Sequence, residues 1–86
     1  MVHVVIAEPP YQQAVEAQVS AMANGWQRLE RGTWIMGSHL TSGSLRDILR
    51  IKVPGASLVV MRLHGQWGTS GMSETAEWLQ SAASIF

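Results

Sequence analysis

The chain has 86 residues, 47% of them hydrophobic and 14% charged, with no cysteine and a formal net charge of zero. That composition is too apolar for a disordered chain, while the scattered charges interrupt every stretch that could supply the roughly 20 apolar residues of a membrane-spanning helix. Without cysteine, disulfides, thiolate zinc sites and cysteine catalysis are excluded within these residues.

The length is that of one domain, 1–86. A domain this small buries only about 60 to 65% of the surface of its unfolded chain, so association with a second copy would relieve a thin core. Val2 to Ala7 is too short for the core of a secretory leader and has no basic residue ahead of it, which leaves the cytoplasm as the expected location. The zero net charge conceals a pattern. Residues 1–25 carry only Glu8 and Glu16, residues 65–86 carry only Glu74 and Glu77, and all the basic side chains, Arg28, Arg31, Arg46, Arg50, Lys52 and Arg62, lie between. Scattered solvated charge, a phosphate-binding surface, and self-association of basic middles with acidic ends all fit this distribution.

In chain order, His3 to Ala7 is β-branched and apolar, an interior strand that stops at Glu8-Pro9-Pro10 because proline donates nothing to a ladder. Tyr11, Val15, Val19 and Met22 recur at helical spacing and predict a helix, with Asn24-Gly25 as its left-handed stop. Gly25 to Ser38 predicts the central pair of strands, turned or bulged at Gly32. Trp26, Arg28 and Glu30 share one parity there, and Trp34 and Met36 share a face after the turn. Thr41 or Ser42 caps a second helix, Leu40 and Leu45 are spaced as a hydrophobic staple, and Leu45, Ile48 and Leu49 form its buried stripe. Arg46 and Arg50 face outward, with Asp47 only weakly placed to pair near Arg50 or Lys52. Val53-Pro54-Gly55-Ala56 ends that helix.

Ser57 to His64 predicts the fourth strand, with Val59, Met61 and Leu63 on one face and Leu58, Val60, Arg62 and His64 on the other. Gly65 to Gly71 is glycine-rich but lacks the Walker lysine, so it reads as a loop pinned by Trp67. Ser73 caps a last helix with Ala76, Leu79, Ala82 and Ala83 inward, and the apolar Ile85 and Phe86 call for docking. The order strand, helix, strand, strand, helix, strand, helix predicts an α+β fold: a ferredoxin-like βαββαβ unit with an antiparallel four-stranded sheet and an additional C-terminal helix.

Gly25-Trp26, Thr33-Trp34-Ile35-Met36, Leu40-Thr41, Leu45-Arg46-Asp47, Leu58-Val59-Val60, Gly65-Gln66-Trp67 and Trp78-Leu79 together resemble the SinR-like family. These are small bacterial relatives of the second CRISPR adaptation protein, and the similarity covers roughly residues 24 to 80. The resemblance implies a ferredoxin-like homodimer whose sheets face each other, in a group that includes CRISPR integrase subunits and toxin-type endoribonucleases. Its nuclease members carry an acidic residue, usually aspartate, at the end of the first strand near the dimer axis. Glu8 matches that position, with Pro9-Pro10-Tyr11 in place of the basic pair that often follows, a departure that weighs against metal-dependent cleavage.

Three functional readings follow. The leading one is a homodimer that binds RNA, DNA or a partner protein without catalysis and without a cofactor, with no membrane association. Arg28, Arg31 and Arg62 supply phosphate contacts on one sheet, and Trp26 offers a surface on which a base can stack. Trp34 and Trp78 are expected in the core, and Trp26 and Trp67 partly exposed. The second reading is a magnesium-dependent endoribonuclease using Glu8 as metal ligand and catalyst, paired across a two-fold axis. The third is a purely structural dimer or adaptor. His3, His39 and His64 are too far apart for a local metal site and are expected at strand edges or in loops.

Overall fold

Val2–Ala7 forms strand β1, a run of apolar and β-branched residues that hydrogen-bonds on both sides and ends where Pro9 and Pro10 begin. The computed structural model describes residues 1–63, 74, 75 and 77–79. After β1 come helix α1 (Gln12–Met22), strands β2 (Trp26–Glu30) and β3 (Thr33–Gly37), helix α2 (Ser42–Lys52) and strand β4 (Leu58–Leu63). The strands form one four-stranded antiparallel sheet in the order β2-β3-β1-β4. Each strand-helix-strand unit is therefore split by a strand of the other, the ferredoxin-like arrangement expected from the sequence.

Register divides the sheet into two faces. His3, Val5 and Ala7 of β1 point to the same side as Trp34 and Met36 of β3, and that side is covered by the helices. The expected helical stripes supply the cover, with Val15 and Val19 from α1 and Leu45 and Leu49 from α2, all fully buried. Tyr11, Met22 and Trp26 pack around this core, and Trp34 at 1% exposure is its largest member. Thr41 caps α2 by accepting the Ser44 N–H at 3.1 Å, whereas Leu40 remains exposed and makes no tight staple.

The end of α1 differs from the expected left-handed stop. Ala23, which closes the helix, is extended, and the positive φ of +118° comes at Gly25, where β2 begins. A Cβ on Gly25 would lie 2.9 Å from the indole nitrogen of Trp78, so glycine there also admits the ring. The β2–β3 connection uses both devices foreseen at Gly32. Arg31 and Gly32 form the turn, with Gly32 at φ +84°, and the pairing shifts between Arg28 and Glu30. That shift places Glu30 opposite Thr33, which breaks the parity expected for Trp26, Arg28 and Glu30.

The opposite face of the sheet carries a second apolar cluster of Val2, Ile35 and Leu79, with Val4, Leu29, Leu63 and Trp78 packed against it. Glu74, Thr75 and 77–79 are helical, so this part of the expected last helix lies on the face that α1 and α2 leave open. Trp78 is half-buried there instead of fully enclosed. The expectations for His64, the loop from Gly65 to Gly71 with Trp67, the inward Ala76, Ala82 and Ala83, and the docking of Ile85 and Phe86 fall outside the described residues. Among the described residues no helix is long and apolar enough to cross a membrane.

Candidate functional site

Where the first half of α1 meets the β2–β3 hairpin, two elements distant in sequence bring opposite charges together. Arg28, opposite Trp34 on the helix-covered face, donates through Nε to Glu16 Oε1 and through Nη2 to Glu16 Oε2 at 2.7 Å. Trp34 donates its indole N–H to Glu16 Oε1 at 2.9 Å. Both carboxylate oxygens are thus occupied by donors. The Arg28 guanidinium, with help from the Trp34 N–H, holds the Glu16 carboxyl below the ordinary carboxylate range, and Glu16 in turn holds Arg28 more firmly charged. One contact between an acidic end of the chain and its basic middle is therefore made within the chain itself.

Beside this trio lies an open groove of about 520 Å³ with Pro9 and Pro10 on one wall, Gln13 and Glu16 of α1 on another, and Arg28 and Arg31 across from them. Its corner is fixed by backbone. Ala7 N–H donates to the Gly32 carbonyl at 2.8 Å, and the Gln12 side-chain amide donates to the Ala7 carbonyl at 3.0 Å. A Cβ on Gly32 would lie 2.8 Å from the Ala7 carbonyl oxygen, so glycine is what lets the turn pack this closely on the end of β1.

The arginines expected to act together on the sheet do not converge. Arg28 is on β2 and Arg62 on β4, and these are the two edge strands. Arg31 sits in the turn beside Arg28 and lines the same groove, so the sheet order pairs those two and leaves Arg62 at the far edge. Trp26 is half-buried against the main core and does not stand clear as a stacking platform. On α2, Arg46, Arg50 and Lys52 are exposed as expected, and Asp47 accepts from its neighbour Arg46 at 3.0 Å while lining a shallow surface hollow with Arg50.

Glu8 is exposed just beyond β1, its N–H donating to the Ser57 carbonyl at 3.1 Å. Among the described residues no three His, Asp or Glu side chains cluster as a metal site.

His3 corrects an expectation. It is fully buried in the centre of the helix-covered face, not at an edge, with Nδ1 3.0 Å from Ser42 Oγ in the first turn of α2. Nε2 is buried and has no hydrogen-bond partner among the described residues. Burial pushes the imidazole pKa down. The carbonyls of Leu40 and Ser38 draw it back part of the way, and the chain's amino terminus and Arg62 press it lower. The signal was present in the sequence, because His3 shares the parity of Val5 and Ala7.

On the opposite face the second apolar cluster continues into a strip that remains partly exposed among the described residues. Ile6 is 37% exposed, and its register partner Val59 and the next same-face residue Met61 are 49% and 47% exposed. No family model and no curated protein matches the chain, so the argument for function rests on these surfaces.

Proposed function

We propose that this chain is a small binding module without catalysis of its own, a homodimer that associates through the open face of its sheet and engages nucleic acid at the groove beside Arg28 and Arg31. The observation that carries the dimer is the strip of Ile6, Val59 and Met61, which adjoins a cluster already covered by Leu79 and Trp78. A sheet face presents such a strip in self-complementary form, because a two-fold axis sets each copy's β1 and β4 against the same strands of the other. Among the described residues no charged side chain interrupts it: Arg62, between Met61 and Leu63, points to the other side with its register partner His3. For a domain of this size a contiguous apolar surface on one face marks a contact for another protein. The resemblance to the SinR-like group, whose members are homodimers with facing sheets, supports a second copy as the occupant.

Sedimentation equilibrium over the micromolar range tests this reading. The wild-type chain is expected to sediment as a dimer, and Val59→Asp combined with Met61→Asp as a folded monomer with an unchanged far-ultraviolet circular dichroism spectrum. A wild-type chain that stays monomeric throughout that range removes the dimer. The nucleic-acid part is supported by the two guanidinium groups in one groove, and retention of an oligonucleotide that weakens with salt is its measurement.

A further inference from the structure

We infer that the groove between Pro9-Pro10, the first half of α1 and the Arg31–Gly32 turn is a site for a terminal phosphate monoester, such as the 5′-phosphate of an oligonucleotide. This rests on the nucleic-acid part of the reading above and names the group that is held. The groove is rich in donors and poor in acceptors. The one carboxylate that lines it among the described residues, Glu16, has both oxygens taken by Arg28 and by the Trp34 indole N–H. Arg28 spends Nε and Nη2 on Glu16, so Nη1 is left to face a ligand, on a side chain that is 57% exposed. Arg31 lines the groove exposed, and among the described residues nothing engages its guanidinium fork. Gln13 adds an amide at the rim.

Two guanidinium groups against one neutralised carboxylate leave a net positive site built from forked planar donors, the geometry that matches phosphate oxygens in pairs. A monoester carries about −1.5 to −2 charges at neutral pH and three terminal oxygens. An internal diester carries one charge and two such oxygens, so it satisfies fewer of these donors. The Glu16 clamp also holds Arg28 in place before any ligand arrives, which lowers the cost of ordering it. The volume of about 520 Å³ exceeds what a free phosphate fills and leaves room for the sugar of the terminal nucleotide along the two prolines.

The experiment compares a single-stranded oligonucleotide bearing a 5′-phosphate with the same oligonucleotide ending in a 5′-hydroxyl. Binding is followed by fluorescence anisotropy, with inorganic phosphate as competitor. The phosphorylated form is expected to bind about tenfold tighter, the scale of one charge-assisted hydrogen bond. Inorganic phosphate is expected to erase the difference, and so is Arg31→Ala, an exposed position whose truncation leaves the core intact. Arg50→Ala, on α2 and outside this groove, is expected to preserve it. Equal binding of both oligonucleotides to the wild-type chain overturns the terminal-phosphate site while leaving nucleic-acid binding in place, and so does a preference that survives Arg31→Ala. Binding of neither oligonucleotide overturns the broader reading and this inference with it.

Discussion

Glu16 and Trp34, eighteen positions apart, are joined by a 2.9 Å hydrogen bond from an indole that is 1% exposed. The bond explains how the largest side chain of the core satisfies its polar atom, and why the carboxylate that receives it also fixes Arg28.

Replacing Glu16 therefore has two separable consequences. Glu16→Ala leaves a buried indole N–H without an acceptor, which costs about 1 to 3 kcal/mol, while the ion pair with the solvent-exposed Arg28 is screened and makes the smaller contribution. Glu16→Gln keeps an acceptor for Trp34 and is expected to lose only the smaller part. Urea denaturation of both variants separates the two terms, and equal losses would show that the indole bond contributes nothing. The carboxyl pKa is depressed in the fold, so the stability it supplies is present above the ordinary value of 4.5 and lost as pH falls through the lower native value.

His3 gives a second pH dependence at a milder pH. Its imidazole is buried and its pKa lies below the ordinary 6.5, so the unfolded chain takes up the proton more readily than the native one. Stability is then complete above about pH 6.5 and declines as pH falls from there through the depressed native pKa. Among the described residues the groups around the ring are Ser42, the carbonyls of Leu40 and Ser38, the amino terminus and Arg62, and none of these is an anion that would hold the imidazolium. His3→Leu is expected to remove the decline between neutral pH and pH 5 whatever its effect on stability at neutral pH. A variant with the same slope as the wild type would place the titration elsewhere.

Much of the fold is legible in the residues because each element announces itself locally: β-branched runs for β1 and β4, the stripes Val15–Val19 and Leu45–Leu49, and the Thr41 cap. What is not legible depends on which strands become neighbours. Arg28 and Arg62 fall on strands of one sheet, yet the order β2-β3-β1-β4 sends them to opposite edges. The partnership of Glu16 with Arg28 needs the crossing of α1 over β2 and β3, which no spacing encodes. His3 is readable from parity alone, because histidine is intermediate between core and surface and its identity gives no signal of burial.

Gly32 is where local and long-range demands coincide. Its φ of +84° disfavours any side chain, and a Cβ would also lie 2.8 Å from the Ala7 carbonyl oxygen and closer still to the Gln12 amide. The flexible glutamine can move aside, but the carbonyl belongs to the central strand and cannot. Gly32→Ala is expected to cost about 1 to 3 kcal/mol, the usual scale for a strained backbone position, and to lower the melting temperature by about 4 to 8 °C per kcal/mol. Because the same turn carries Arg31, the variant should also weaken oligonucleotide binding. Calorimetry and anisotropy on one preparation measure both, and an unchanged melting temperature would mean that the turn relaxes freely.

The separation of the arginines makes the last expectation quantitative. Arg31 adjoins β2 and Arg62 lies on β4, and the three strand spacings between those edges amount to roughly 14 Å. That exceeds the screening length of about 8 to 10 Å at physiological salt, so the two charges act on a bound strand almost independently. Removing one cation that neutralises a phosphate should flatten the dependence of log affinity on log salt by roughly 0.7 for a single strand. Arg31→Ala is expected to lower the slope by about that amount, Arg62→Ala to leave it unchanged, and the double variant to match Arg31→Ala alone. A slope that falls with Arg62→Ala as much as with Arg31→Ala would mean that the strand crosses the whole sheet from edge to edge, and the groove beside α1 would then be one point of attachment among several and not the place where the ligand is held.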